Sequence, residues 1–119
     1  MVFDLDVAEP VDGVTIIAIV GDLDIATAPR LREALIRAVA EAEIPRVVLD
    51  LDGVDLLDPT GLGVIFDGVK RTRSRGGDLA WARIGPVVRR DLELTRIIEI
   101  LPAHESVDDA VCSLKPLVP

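Results

Sequence analysis

Residues 47–81 read VVLDLDGVDLLDPTGLGVIFDGVKRTRSRGGDLAW and combine the patterns of a strand, a helix and a further strand. The apolar run inside residues 46–51 does not alternate with polar residues, which is typical of a strand covered on both faces of a sheet. A helix that ends at Gly76-Gly77 follows, with apolar positions at Leu62, Ile65, Phe66 and Val69. The second strand is expected over residues 79–84. This alternation predicts an α/β domain.

Further strand patterns lie on both sides of this segment. Residues 2–7 alternate apolar and acidic side chains, which predicts an edge strand. Asp12-Gly13 is a turn signal that leads into residues 14–20, where a two-sided apolar run predicts a second central strand. A weaker pattern over residues 97–101 predicts the last strand.

Helical spacing also recurs along the chain. Residues 31–42 carry an apolar stripe, and we expect residue 27 or 28 to cap this helix. A last apolar stripe over residues 107–114 predicts a helix that begins after Ser106, a capping residue. A short helix with a poorer pattern is expected near residues 86–94.

Length and composition predict a single domain. The 119 residues suffice for one core, and we place the domain over residues 1–119 with its core at about 3–114. Half of the residues are apolar, but the aromatic ones are only Phe3, Phe66 and Trp81, so Val, Ile, Leu and Ala must form the core. The expected fold is α/β, with a mixed sheet of four to five strands and about four helices packed against it.

Charge and cysteine content narrow the classes of function. The net charge of −8 argues against a broad surface for nucleic acid or for an anionic membrane. One histidine and one cysteine exclude the usual zinc ligand set and an internal disulfide. The acidic first residues do not resemble a secretory signal, and no apolar run reaches the length of a membrane helix. We therefore expect a cytoplasmic protein with no metal, no cofactor and no membrane or nucleic-acid partner.

Enzyme motifs are absent from the sequence. It has no glycine-rich phosphate-binding loop of either common spacing. His104 is expected in a loop, far in sequence from any candidate nucleophile, and Cys112 is expected to be a small core residue. These observations predict a protein that is not an enzyme.

The start of the helix after residue 57 carries the clearest candidate site. Asp58 is a favoured N-cap residue and Pro59 a favoured first helical residue, which places Thr60 in an exposed first turn. The helix face that begins with Thr60 continues through residues 63, 64, 67 and 71, away from most of the apolar stripe. The alternative is that Thr60 has no functional role and is simply a polar residue that the first turn of a helix tolerates.

Acidic residues near the ends of the central strands form a second candidate. A pocket for magnesium or for a phospho-aspartate is one interpretation, because ligands of α/β sheets bind at that edge. The alternative, that these residues form turns and caps, is favoured, since no lysine occurs between Lys70 and Lys115. The residues concerned are Asp22, Asp24, Asp50, Asp52, Asp55 and Asp58.

A basic run over residues 70–75 ends the same helix. Cations at that position complement the helix dipole and solvate the surface. The run could also meet an acidic partner.

Two segments carry a resemblance to a known family, GDLDIATAPRLREAL over residues 21–35 and the stretch over residues 47–81 quoted above. Together they resemble a STAS domain of the anti-sigma factor antagonist type. The resemblance implies that the unphosphorylated protein binds an anti-sigma factor with a GHKL-type kinase fold and thereby releases a sigma factor. It also implies that this kinase phosphorylates Thr60 and breaks the complex, and that a phosphatase resets the switch. The implied partner-binding residues are Asp22, Asp24, Asp58, Pro59, Thr60, Gly61, Leu62, Gly63 and Val64.

Two positions depart from the family pattern. Pro59 stands where serine is common, which leaves Thr60 as the only hydroxyl at this helix start. Arg96 stands where glycine is common, which leaves open the geometry of residues 84–101. A different class of function is also consistent with the resemblance, namely a STAS scaffold or accessory subunit of a larger complex that is never phosphorylated.

Overall fold

A computed structural model describes residues 2–114, apart from the side chain of Glu9. Within these residues the strands form a five-stranded sheet in the order β1-β2-β3-β4-β5. β1 is antiparallel to β2, and the remaining neighbours are parallel, so the sheet is mixed as predicted. The elements along the chain are β1 (Asp4–Val11), β2 (Val14–Leu23), α1 (Ala28–Glu41), β3 (Arg46–Leu57), α2 (Pro59–Arg73), β4 (Asp78–Ala82), α3 (Pro86–Leu94), α4 (Ile97–Ile100), β5 (Ala103–His104) and α5 (Val107–Leu114).

Helices cover both faces of the sheet, which explains the two-sided apolar runs. Leu49 of β3 belongs to the larger core cluster, which also holds Leu35 of α1 and Ile65 of α2. Its neighbour Val48 points to the other face and packs in a smaller cluster with Ala110 of α5. Successive strand residues face opposite sides, so a strand between two helical layers must be apolar throughout. β2 and β3 are central, as predicted.

The central strands β2 and β3 extend beyond their predicted ends, whereas β4 stops at Ala82, two residues before its predicted end. β2 continues to Leu23 and β3 to Leu57, with register shifts between Ala18 and Val20 and between Gly21 and Asp22. Each shift breaks the two-residue period on which the sequence pattern depends. Asp22 lies at the end of β2, one residue before Leu23, as expected. The structure corrects the placement of three other acidic residues, which lie within β3 and not at its end: Asp50, Asp52 and Asp55.

The predicted last strand over residues 97–101 is wrong. Residues Ile97–Ile100 form the short helix α4, and Ala103–His104 form the edge strand β5. His104 is therefore in a strand and not in a loop, and its carbonyl accepts a hydrogen bond from the N–H of Arg83 at 3.0 Å. A short apolar run has no distinctive period, so only its tertiary contacts decide between helix and strand. α4 is the additional helix beyond the four expected.

The final helix confirms one prediction and corrects another. The Ser106 hydroxyl accepts a hydrogen bond from the N–H of Asp109 at 3.0 Å, as its capping position predicts. Ala110, Val111 and Leu114 are buried on the predicted stripe, but Cys112 is exposed. Cys112 lies on the helix side opposite that stripe, so it is not a core residue.

Arg96 adopts a left-handed backbone conformation, with φ of 61°, where α4 begins. This conformation costs a residue with a Cβ atom about 1 kcal/mol more than glycine. We expect Arg96→Gly to raise the free energy of unfolding by about 0.5–1 kcal/mol, measured by urea denaturation. Arg83, with φ of 59°, is the matched control, because Arg83→Gly also removes an ion pair and should destabilise the protein. Equal effects of the two substitutions would contradict this account.

Candidate functional site

The carboxyl ends of β2 and β3 bring the two predicted site segments together. Leu23 and Leu57 are paired in the sheet, and the N–H of Asp58 donates a hydrogen bond to the carbonyl of Leu23 at 3.1 Å. The segment after β2 therefore lies beside the start of α2. We call residues 22–27 and 58–64 the tip.

The start of α2 is capped as the sequence predicts. The Asp58 carboxylate accepts a hydrogen bond from the N–H of Gly61 at 2.9 Å, and Pro59 is the first helical residue. Thr60 is exposed in the first turn. Its hydroxyl has no hydrogen-bond partner among residues 2–114. The structure thus presents this hydroxyl to solvent at the positive end of the helix dipole.

The loop after β2 is held by Asp24 and Thr27. Oδ1 of Asp24 accepts hydrogen bonds from the N–H groups of Ala26 at 3.0 Å and of Thr27 at 3.2 Å. The Thr27 hydroxyl donates to the carbonyl of Asp22 at 2.7 Å and accepts from the N–H of Asp24 at 3.0 Å. Oδ1 of Asp24 is therefore used to shape the loop, whereas Oδ2 makes no hydrogen bond with residues 2–114. Residue 27 or 28 was expected to cap α1. Thr27 occupies the N-cap position, but its side chain makes no capping hydrogen bond and is used in the loop, which sequence reasoning missed.

The two glycines of the tip differ in what surrounds them. Gly61 is buried, and a Cβ atom there would lie 2.7 Å from both the carbonyl oxygen and Cγ of Leu23. Gly61 is therefore required by packing within the protein. Gly63 is exposed, and a Cβ atom there would meet nothing within 4 Å. Leu62 and Val64 are half-buried and pack against the core, so the open surface of this turn belongs to Pro59, Thr60 and Gly63.

Exposed apolar side chains accompany the tip. Ile25, in the loop after β2, is 75% exposed, and Leu56, the residue paired with Asp22, is 46% exposed. Sequence reasoning did not identify either residue, because apolar side chains near the ends of strands are usually assigned to the core. These side chains add apolar contact area beside acidic groups.

The sequence profile of the STAS domain matches residues 7–110. The chain belongs to the STAS domain family. It is 29% identical over 103 residues to the anti-sigma F factor antagonist of Paenibacillus polymyxa, covering 87% of this chain and 88% of that protein. It is 34% identical over 86 residues to the anti-sigma-B factor antagonist of Listeria monocytogenes, covering 71% and 74% of the two chains.

Solved structures agree with this assignment. The crystal structure of an anti-sigma factor antagonist from Mycobacterium paratuberculosis superposes with a TM-score of 0.83 at 28% identity. The match covers 97% of this STAS chain and 96% of the other chain. The resemblance in sequence is thus confirmed at the level of family and fold.

The acidic residues of this STAS protein do not converge on one pocket. Asp50 is 9% exposed and binds Arg83 through two hydrogen bonds, Nε to Oδ1 at 3.0 Å and Nη2 to Oδ2 at 2.9 Å. The hydrogen bonds to Asp50 raise the pKa of the Arg83 guanidinium. Asp58 and Asp24 act instead as cap and turn residues, as the favoured interpretation predicts. Within residues 2–114 no three acidic, histidine or cysteine side chains are grouped to hold a metal ion.

None of the helices formed by residues 2–114 combines the length and the apolar composition needed to cross a lipid bilayer.

Proposed function

We propose that this STAS protein is an anti-sigma factor antagonist that uses the tip as its docking surface. In its unphosphorylated form it binds an anti-sigma factor with a GHKL-type kinase fold, in the cytoplasm, and a sigma factor is released. The protein acts by binding and does not catalyse a reaction. The names of its relatives support this function, and the open position of Gly63 is the observation that carries the choice of surface.

No contact with residues 2–114 explains why position 63 is a glycine. Glycine inside a helix costs about 1 kcal/mol relative to alanine. Close packing offsets that cost at Gly61 and Gly68. A Cβ atom at Gly61 would lie 2.7 Å from Leu23, and one at Gly68 would lie 3.0 Å from Leu35. Gly63 makes no such contact. A second protein that packs against the bare backbone of α2 accounts for a glycine at this position.

The position of Gly63 relative to Thr60 supports an interface at this turn of α2. Residues three apart on a helix are neighbours on its surface, so the bare backbone adjoins the exposed hydroxyl. A partner that packs against Gly63 therefore also covers Thr60. Asp24 presents the free oxygen Oδ2 on the same tip, where it would face basic groups near the partner's nucleotide.

Phosphorylation of Thr60 would act on this interface directly. The kinase transfers the γ-phosphoryl group of ATP to the Thr60 hydroxyl, ADP leaves, and the hydroxyl proton is lost. The product carries about −1.5 to −2 charges, which the N–H groups at the start of α2 tolerate in the free protein. In the complex the phosphate is bulky, hydrated and close to the carboxylate of Asp58, so the partner is released. A phosphatase that hydrolyses the phosphate restores binding.

Phosphorylation at a single residue is the first expected result. On incubation with ATP and recombinant GHKL-type kinases of the host, the wild-type protein should gain the mass of one phosphate. Thr60→Ala should gain none, because Pro59 leaves no second hydroxyl at the helix start. Intact-mass spectrometry measures both. A phosphate on the Thr60→Ala variant would refute the assignment, and a kinase that binds the wild type without phosphorylating it would favour the non-phosphorylated scaffold.

A further inference from the structure

The outer surface of α1 and α2 carries positive charge that the protein itself does not use. The basic run at the end of α2 is largely paired: Arg71 binds Asp67 at 2.7 Å, and Arg73 binds Asp78 at 2.9 Å. Arg75 donates hydrogen bonds to carbonyls at the end of α1, including that of Val39 at 2.7 Å. Lys70 has no ion-pair partner among residues 2–114.

Arg32 lies one turn before Leu35, the α1 residue that packs against Gly68 of α2, so it is near the side of α1 that meets α2. The pKa of Asp67 is lowered, first by its hydrogen bond from Arg71 and also by the positive charges of Arg71, Arg32 and Lys70. The positive charges of three residues thus act on one carboxylate that is already paired with Arg71. Like Lys70, Arg32 forms no ion pair within the described part of the chain. This local excess of positive charge is found in a protein of net charge −8.

The helix dipoles explain only part of this excess. Lys70 lies in the last turn of α2, where the dipole stabilises a cation. Arg32 lies nearer the start of α1, a helix with no acid in its first turn and no base in its last, so the dipole gives it no stabilisation. Arg30, in the first turn of α1, does have an internal partner, because it donates to the carbonyl of Phe3 at 3.2 Å and lies over its ring. Arg32 has none.

We infer that Arg32, Lys70 and Arg71 form a second docking surface that binds a carboxylate-rich segment of the same partner. Asp67 and Arg71 share a face of α2 with Thr60 and Gly63, so this basic surface continues the interface of the tip. At about 1.5 Å of rise per residue, Lys70 and Arg71 lie about 15–16 Å along the axis of α2 from Thr60. The acidic tip and the basic second docking surface would together fix the orientation of the partner, since reversing the complex would juxtapose like charges. The inference rests on the proposed function.

Charge reversal with a matched control tests the second surface. The double variant Arg32→Glu with Lys70→Glu should bind the kinase that phosphorylates Thr60 about tenfold more weakly at low salt, with the difference shrinking at high salt. Arg89→Glu with Arg90→Glu, on α3, has the same net charge and should bind like the wild type. The melting temperature should change little, because Arg32→Glu places an acid near the start of α1, where it is favourable, and this offsets the unfavourable acid that Lys70→Glu places in the last turn of α2.

A defined probe makes the test independent of the kinase. A Glu-rich helical peptide titrated into isotope-labelled protein should shift the amide resonances around residues 32, 70 and 71 in the wild type, and the double variant should lose these shifts. A Lys-rich peptide should not produce them. Shifts that are absent, that centre on α3, or that appear with single-stranded DNA and not with the peptide would overturn the inference. Kinase binding that is insensitive to this double variant but lost on substitution of Gly63 would overturn it and leave the proposed function intact. The reverse result would overturn the tip as the docking surface of the proposed function and support the second surface.

Discussion

Replacing Gly63 by leucine is expected to reduce binding to the anti-sigma factor at least a hundredfold while leaving the folded protein as stable as before. The new side chain has open space in the free protein, since nothing lies within 4 Å of the Cβ position. Leucine also gains about 0.8–1 kcal/mol of helix propensity over glycine. In the complex the same side chain would occupy the place of the partner. Calorimetric titration and urea denaturation measure the two effects separately.

Gly61 supplies the matched control, because it belongs to the same turn but faces inward. A Cβ atom there would lie 2.7 Å from the carbonyl oxygen of Leu23, so even Gly61→Ala forces α2 away from β2. We expect it to lower the free energy of unfolding by about 1–3 kcal/mol. If Gly63→Leu binds the partner like the wild type, the docking surface lies elsewhere. If it unfolds the protein, the open space assigned to this position is wrong.

Phosphorylation of Thr60 is expected to weaken partner binding several hundredfold. Burying a hydrated dianion against a partner, beside the carboxylate of Asp58, should cost about 3–4 kcal/mol of binding free energy. Thr60→Glu should have a smaller effect, since a carboxylate carries about one charge where phosphate carries up to two. Binding constants of the purified phosphoprotein and of this variant, measured under identical salt, provide the comparison.

The substitution Thr60→Val separates the hydroxyl from the phosphate. It nearly preserves the shape of the side chain and removes the acceptor, so this variant should bind the partner and should not be released by kinase and ATP. The free phosphoprotein should unfold at the same urea concentration as the wild type or a higher one, because negative charge is favourable at the start of α2. A phosphoprotein that keeps full affinity for the partner would contradict the switch.

Much of this arrangement follows from local features of the sequence. The apolar stripe around Leu31 and Leu35, the capping of α2 by Asp58 and the exposure of Thr60 were all predictable, and the structure shows each of them. These features depend on residues within one or two helical turns of each other. Propensity, capping and period act over that range, so the sequence alone contains them.

Other features depend on residues that meet only after folding. Residues 97–100 form a helix that begins where the chain turns at Arg96, in place of the strand expected over residues 97–101, and Cys112 is exposed because α5 presents its other side to the sheet. The candidate site shows the same division. Gly61 and Gly63 belong to one short motif, yet contact with Leu23 gives the first an internal role and leaves the second open to a partner. Sequence determines which residues reach the tip, and tertiary contacts decide which of them remain free there, because burial depends on neighbours that are distant along the chain.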